Sequence, residues 1–195
     1  MQESVTTFIS AAAAAYDRYV EDVEGRRSIG QIFAALDEEL EMRDRPGQRL
    51  PVCAHLEKAC ASEQFAVPDL NRLVEAFCAI EPQLKWYPRG GDQTGANAAY
   101  PEGHANAMIV GPGGLVRHSR VWLGVSLLAP GVRYPDHTHP PEETYLVLSD
   151  GAFFQEGRGW FTPGIGGTFY NRPGIVHAMR SGETPLLAMW ALRAA

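Results

Sequence analysis

Apolar residues recur at helical spacing through the first part of the chain. Between residues 5 and 20 they fall three and four positions apart, which places them on one helical face, with Ser4 as a candidate N-cap and Gly25 as a candidate stop. Ser28 is a candidate cap for a second amphipathic helix. Pro-containing segments delimit two further helices. The predicted helices cover about 4–24, 28–45, 52–62 and 68–81.

The pattern changes at Trp86, where short β-rich runs separated by Gly and Pro replace the helical spacing. Short strands at this spacing indicate a sandwich or barrel. We therefore expect a mainly β domain over residues 86–195. The helical segment of residues 1–85 would pack on it as part of one structural unit and cover its mouth or an edge strand. The predicted strands are 107–110, 116–128, 144–148, 151–155, 159–162, 167–170, 178–180 and 185–192.

Composition narrows the class of protein. The chain of 195 residues has a net charge of -6 and no basic stretch, which argues against a nucleic-acid partner. It contains no run of 18 apolar residues, so no membrane span is expected. Three cysteines do not make a closed disulfide framework, and no basic segment opens a signal peptide. These features favour a cytoplasmic protein, in which Cys78 on the fourth helix would be buried.

Two histidines, a glutamate and a tyrosine fall at alternating positions within one segment: His137, His139, Glu143 and Tyr145. Residues two apart on a β-strand share a face, so the two imidazoles would point one way together, as would the carboxylate and the phenol. A later strand would bring in His177. Imidazoles, a carboxylate and a phenol suit Zn, Fe, Mn or Ni. The neighbouring Glu142 would face away from them, into solvent.

These two segments resemble the motifs of a known fold family. The run from Gly131 through His137 and His139 to Glu143 resembles the first cupin motif, and the run from Gly167 to His177 resembles the second. The resemblance covers roughly residues 115–192. It implies a double-stranded β-barrel, jelly-roll-like, that holds one metal ion in its mouth.

A more specific resemblance is to the cupin-type dimethylsulfoniopropionate (DMSP) lyases, the DddQ branch in particular. The string Tyr-Pro-Asp-His-Thr-His-Pro-Pro-Glu-Glu-Thr-Tyr at 134–145, the string Asn-Arg-Pro-Gly-Ile-Val-His-Ala-Met at 171–179 and the helical first half carry it. It implies one divalent metal ion per chain, zinc before iron, manganese or nickel. The residues matching the family's metal ligands are His139, Glu143, Tyr145 and His177, and Tyr134 and His137 match residues of the same site.

The resemblance also implies an activity, the β-elimination of DMSP to acrylate and dimethyl sulfide. A Lewis acid on the substrate carboxylate would stabilise the developing enolate charge. A base must remove the α-proton, and Tyr145 beside the metal ranks slightly ahead of Tyr134 for this role. His137 is either a further ligand or a group that orients a tyrosine or the substrate. Aromatic rings of the β domain would hold the sulfonium.

Two other classes of function remain open at this point. One is a different metal cupin enzyme, an iron dioxygenase or a sugar isomerase, although a tyrosine ligand would occupy a position that O2 needs. The other is a non-catalytic small-ligand-binding cupin, which lacks an evident output segment. The expected partner is a small zwitterionic substrate, with no nucleic acid and no membrane, and the protein would be a monomer or a homodimer.

Overall fold

A computed structural model describes residues 1–36, 40–44, 46–61 and 67–194. The predicted second helix over 28–45 is wrong in its later part, because the helix ends at Ala34 and Glu41–Met42 form a short strand. The predicted boundaries at Arg45 and Ser62 lie outside the described residues. No helix in the described ranges is long and apolar enough to cross a membrane. The α-helices are α1 (Gln2–Tyr19), α2 (Val23–Ala34), α3 (Leu56–Ala59), α4 (Pro68–Ile80) and α5 (Tyr100–Gly103), and 3₁₀ turns occupy Pro51–His55 and Glu81–Gln83.

The first two helices begin at other residues than the sequence predicted. Helix α1 already begins at Gln2, and α2 is capped by Asp22, whose carboxylate accepts the backbone N–H of Gly25 at 2.7 Å. Gly25 therefore lies in the first turn of α2, where a Cβ would lie 2.5 Å from Oδ2, the other carboxylate oxygen of Asp22. Ser28 is a buried residue inside this helix rather than its cap. An acidic cap accepts free N–H groups of the first turn as well as serine does.

The β domain contains two sheets. The strands are β1 (Glu41–Met42), β2 (Trp86–Tyr87), β3 (His104–Val110), β4 (Val116–Arg117), β5 (Val121–Leu128), β6 (Glu142–Val147), β7 (Gly151–Gln155), β8 (Gly159–Phe161), β9 (Thr168–Asn171), β10 (His177–Ser181) and β11 (Leu186–Arg193). The large sheet has the order β1-β4-β3-β5-β11-β6-β9, with β2 beside β3, and the small sheet has the order β10-β7-β8. Pairing is antiparallel except between β3 and β4. The predicted mainly β fold is confirmed, as a two-sheet jelly roll rather than one continuously hydrogen-bonded barrel in the described residues.

The large sheet is buried on both faces, as β11 illustrates. Leu187 and Met189 belong to the core that the helices form with this sheet, whereas Ala188 and Trp190 belong to the core between the two sheets. A strand buried on both faces has a continuous apolar sequence, as β11 does. The helices thus cover the outer face of the large sheet and reach its edge strand β9, where Thr168 Oγ1 donates to the backbone carbonyl of Tyr19 at 2.9 Å.

One buried carboxylate joins helix α2 to β6. Glu142 accepts hydrogen bonds from Arg27 Nη2 at 2.5 Å, Arg193 Nε at 2.7 Å and Tyr170 Oη at 2.7 Å. Burial alone would raise the pKa of Glu142, but these donors outweigh it and lower the pKa to about 2. The prediction that Glu142 faces solvent is wrong, because α2 covers that side of the strand.

Candidate metal centre

The predicted site residues come from three segments that meet between the two sheets. Glu143 and Tyr145 lie on β6 of the large sheet, and His177 is the first residue of β10 in the small sheet. His137 and His139 lie in the irregular segment before β6, so the expectation that a regular strand carries them is wrong. A pair of reciprocal backbone hydrogen bonds, of 3.0 and 2.9 Å, joins His137 to His177. These two backbone hydrogen bonds, rather than a regular strand, place His137 beside His177.

The three histidines present one ring nitrogen each to a common point. These ligand atoms lie within 4.8 Å of one another. The other nitrogen, Nδ1, lies 2.9 to 3.0 Å from a backbone carbonyl two residues away in each ring, at Pro135, Pro141 and Ile175. A carbonyl only accepts hydrogen bonds, so each Nδ1 carries the proton and each Nε2 of a neutral ring keeps a lone pair.

The remaining nitrogen of His177 is an orphaned polar atom. It is fully buried and has no hydrogen-bond partner among the described residues. A buried acceptor atom without a partner is energetically unfavourable. In a metal-binding imidazole, one ring nitrogen donates a hydrogen bond and the other binds the cation. The donor set of three imidazoles therefore suits a divalent transition metal.

Glu143 adds a carboxylate to this set. Its Oε2 lies 3.4 Å from Nε2 of His139 and 3.2 Å from Nε2 of His177. Burial alone would raise the pKa of Glu143, but hydrogen bonds and positive charge from His139 and His177, when these rings also carry a proton on Nε2, hold it well below its usual range. Lone pairs facing each other at such distances repel unless a proton or a cation lies between them. The carboxylate and the imidazoles thus fit one shared metal ion.

A buried amide orients the carboxylate. Asn171, directly opposite Glu143 in the β6–β9 register, donates from Nδ2 to Oε2 of Glu143 at 3.0 Å. Asn171 is itself held by Gln155, whose Nε2 donates to its Oδ1 at 2.7 Å. The sequence analysis missed this support, because it depends on the register between two strands. Such supporting groups fix the orientation and basicity of metal ligands.

Tyr145 shares the inner face of β6 with Glu143. Its ring stacks on Phe169 with centroids 5.0 Å apart, and its side chain is almost fully buried. Burial raises the pKa of Tyr145, and the negative charge of Glu143 raises it further. The phenol therefore stays protonated unless a cation neutralises the carboxylate beside it.

Tyr134 packs edge-on against His137, with the ring centroids 5.2 Å apart. Its hydroxyl oxygen accepts a hydrogen bond from Asn106 Nδ2 at 3.1 Å. Burial raises the pKa of Tyr134, and the hydrogen bond from Asn106 opposes that rise. Burial thus raises the pKa of both tyrosines, but the nearest polar group favours the phenolate at Tyr134 and opposes it at Tyr145.

The donor to Tyr134 ends a chain of buried hydrogen bonds that cross the large sheet. Trp190 Nε1 donates to Ser126 Oγ at 3.0 Å, and Ser126 Oγ donates to Asn106 Oδ1 at 2.6 Å. Every group in the chain donates toward Tyr134. Sequence analysis could not predict this chain of hydrogen bonds, because its members lie on three strands that become neighbours only through the sheet order.

The aromatic residues expected to hold a sulfonium include two groups with different surroundings. Phe153, Phe169 and Trp190 line the core between the sheets with Tyr145. The ring of Trp160 is already covered by guanidinium groups, those of Arg133 at 5.4 Å and Arg180 at 4.3 Å. The inner group therefore adjoins Tyr145 of the metal centre, whereas Trp160 already carries two cations.

Two facing sheets that enclose histidines and a carboxylate define the class of metal-binding cupin proteins. Within it, the chain belongs to the dimethylsulfoniopropionate lyase family, whose profile it matches over residues 24–188. It is 32% identical to a putative DMSP lyase DddL of Cereibacter sphaeroides over 156 residues, which are 77% of this chain and 62% of that protein. It is 27% identical to the DMSP lyase DddQ of Ruegeria pomeroyi over 159 residues, 80% of this chain and 77% of that protein.

The fold agrees with a solved structure of the same group. The crystal structure of DMSP lyase DddQ from Ruegeria pomeroyi DSS-3 superposes with a TM-score of 0.76 at 22% identity, covering 100% of this chain and 93% of that one. A second solved structure, from work on the DMSP lyases RdDddP and RnDddQII, gives a TM-score of 0.74 at 22% identity, over 100% and 94% of the two chains. At this identity the agreement concerns the fold, helices included. The chain spans less than two thirds of the length of the DddL relative.

Proposed function

We propose that this protein is a carbon–sulfur lyase that cleaves DMSP to acrylate and dimethyl sulfide with the help of one divalent metal ion. The observation that carries the proposal is the set of three imidazole nitrogens and the Glu143 carboxylate, enclosed between the sheets of a chain in the DMSP lyase family. We assign His139, Glu143 and His177 as ligands, with Tyr145 adjoining them. His137 completes the histidine set. Zinc ranks first, before iron, manganese and nickel.

The reaction is a β-elimination, and its atoms balance without an oxidant. A base removes a proton α to the carboxylate, the electrons of that C–H bond form the new double bond, and the C–S electrons leave with dimethyl sulfide. A bound metal ion supplies Lewis acidity to the substrate carboxylate. The part left to the side chains is proton removal and placement of the sulfonium.

We propose Tyr134 as the base, ahead of Tyr145. Its oxygen accepts a hydrogen bond from Asn106, which stabilises a phenolate, whereas Tyr145 lies beside the negative charge of Glu143, which opposes one. The sequence pattern alone placed Tyr145 slightly ahead because of its position beside the metal. In our proposal Tyr145 stays with Glu143 and completes the wall of the site.

The sulfonium end of the substrate needs a dry pocket with aromatic faces. We propose that it rests among Phe153, Phe169 and Trp190, which lie in the core between the sheets. A sulfonium has no N–H or O–H to satisfy, so burial among rings costs it no hydrogen bond. The opposite end of the zwitterion then points toward the histidines.

Dimethyl sulfide release from DMSP by the purified protein tests this function. Wild type, His139→Ala, Tyr134→Phe and Tyr145→Phe are assayed together, with the metal content of each determined. We expect activity in wild type and a loss of at least ~100-fold in Tyr134→Phe with its metal retained. Residual activity in Tyr145→Phe and none in His139→Ala complete the expected pattern. Full activity in Tyr134→Phe would return the base role to Tyr145, and no release by metal-loaded wild type would reject the lyase.

The three cysteines are free thiols, which agrees with a reducing compartment. We therefore propose a cytoplasmic location for the enzyme.

A monomer or a homodimer stays our prediction for its assembly, which sedimentation of the metal-loaded protein would measure.

A further inference from the structure

The buried hydrogen-bond chain that ends at Tyr134 has a fixed direction. Asn106 and Ser126 lie directly opposite each other on β3 and β5, and their side chains are 6% and 3% exposed. Trp190, the first donor of the chain, lies on β11. The three residues come from three adjacent strands of the large sheet and lead to one oxygen atom of Tyr134.

A glycine makes room for the first hydrogen bond. Trp190 lies directly opposite Gly124 in the β5–β11 register, and a Cβ on Gly124 would lie 2.3 Å from the indole ring. Ser126 is two residues further along β5, so it shares the face of Gly124. The indole can therefore lie across Gly124 and donate from Nε1 to Ser126 Oγ at 3.0 Å.

The indole determines the direction of the later hydrogen bonds. An indole N–H can only donate, so Ser126 Oγ accepts at this contact. The single proton of the Ser126 hydroxyl then goes to Asn106 at 2.6 Å, a distance typical of O–H donation. The atom of Asn106 that accepts it is the carbonyl Oδ1, which leaves Nδ2 facing Tyr134 Oη at 3.1 Å. The Tyr134 oxygen thus accepts from Asn106, and its own O–H points away from the chain.

We propose that Ser126 and Asn106 are positioning residues of the elimination, which act through Tyr134 and do not touch the substrate. The proposal rests on the proposed function, with Tyr134 as the base. The amide of Asn106 occupies one side of the Tyr134 oxygen and leaves the other side to the α-proton of the substrate. This donor serves the oxygen both before and after it takes up the proton, so the chain needs no rearrangement during the reaction. Hydrogen bonds in a buried chain also reinforce one another, which keeps the amide in this orientation.

Ser126→Ala tests the chain, because it removes the hydroxyl that orients Asn106. Dimethyl sulfide release is measured over a range of DMSP concentrations, with the metal content of each protein determined. We expect Ser126→Ala to lower kcat and kcat/KM together by ~10-fold with KM unchanged, because an interaction made in the transition state is weakened. Asn106→Leu removes the donor itself and should lower kcat at least ~100-fold with its metal retained. Ser126→Thr keeps the hydroxyl and should keep most of the activity.

Ser149→Ala is the matched control for Ser126→Ala. Ser149 is also a buried serine whose hydroxyl accepts one hydrogen bond, from Leu187 N at 2.6 Å, and donates one, to Pro185 O at 2.9 Å. Loss of either hydroxyl should lower the melting temperature. Only the loss of the Ser126 hydroxyl should lower kcat.

A wild-type kcat in Ser126→Ala and Asn106→Leu would overturn the positioning role and leave the lyase intact. So would a raised KM with kcat unchanged, or an equal fall of kcat in Ser126→Ala and Ser149→Ala. If Asn106→Leu does not fold, Ser126→Ala decides among these outcomes, since it removes a single oxygen atom. No release by metal-loaded wild type would instead reject the lyase, and the positioning role with it.

Discussion

Replacement of Glu142 by glutamine removes the charge that joins helix α2 to the strand carrying Glu143. The shape of the side chain is kept, but its NH2 group then faces hydrogen-bond donors of Arg27, Arg193 and Tyr170. We expect the protein to fold with a lower free energy of unfolding at pH 7. The size of the loss follows from the pKa of the carboxyl.

The fall of the pKa of Glu142 from its ordinary value of 4.5 to about 2 corresponds to at most ~3.4 kcal/mol, at 1.36 kcal/mol per pKa unit. The side chains of Arg27 and Arg193 are 37% and 44% exposed, so solvent screens both pairs. We therefore expect Glu142→Gln to lose ~1–2 kcal/mol. A carboxylate whose pKa is lower in the folded than in the unfolded protein stabilises the fold fully above the unfolded-state pKa. This stabilisation is lost as the pH falls through the folded-state pKa. The difference in stability between wild type and Glu142→Gln should therefore shrink below pH 4.5 and vanish near pH 2.

Urea unfolding followed by tryptophan fluorescence at pH 7 and pH 3.5 measures this difference. Both proteins are kept in chelator, so that metal release at low pH does not contribute. Glu24→Gln is the matched control, because Glu24 binds the same Arg27 but is 60% exposed, and it should cost no more than ~0.5 kcal/mol. Equal stability of Glu142→Gln and Glu24→Gln at pH 7 would refute the reasoning, as would a difference from wild type that stays unchanged at pH 3.5.

Three other perturbations have defined outcomes. Asn171→Ala should weaken metal affinity about 10–100-fold in a chelator competition, the usual effect of losing such a supporting residue, because Glu143 loses its orienting donor. Ser149→Ala, which removes a buried hydroxyl elsewhere, is the control and should leave the affinity unchanged. Equal metal affinities in wild type and both variants would contradict this prediction. Gly124→Ala should lower stability by ~1–3 kcal/mol in thermal unfolding, because its Cβ would lie 2.3 Å from the ring of Trp190, and an unchanged melting temperature would argue against that close contact. Removing the metal with chelator should lower the melting temperature, since an ion that binds only the folded state stabilises it, and no shift would contradict a resident ion.

The features predicted well from sequence are those that local pattern determines. The alternation and turn signals after residue 86 predict the mainly β fold, and the amphipathic spacing of 68–81 predicts helix α4, which runs from Pro68 to Ile80. The residues proposed for the metal centre also come together in the structure. Their roles as ligands and bases stay predictions.

The features predicted poorly depend on partners distant in sequence. Glu142 has the pattern of a solvent-facing strand residue, yet α2 covers it, and nothing near Glu142 indicates that Arg27 is its partner. Asn171 and Ser126 acquire their roles from the register of paired strands. Cys78 lies among apolar residues of α4, which led to the prediction that it is buried, but its side chain is exposed.

Main-chain hydrogen bonds, rather than side chains, hold His137 and His177 next to each other. Their Nδ1 contacts are also to backbone carbonyls. It follows that the distance between these two imidazoles is insensitive to the identity of the surrounding side chains. The side chains around the two rings are therefore free to diverge while the spacing of the imidazoles is kept.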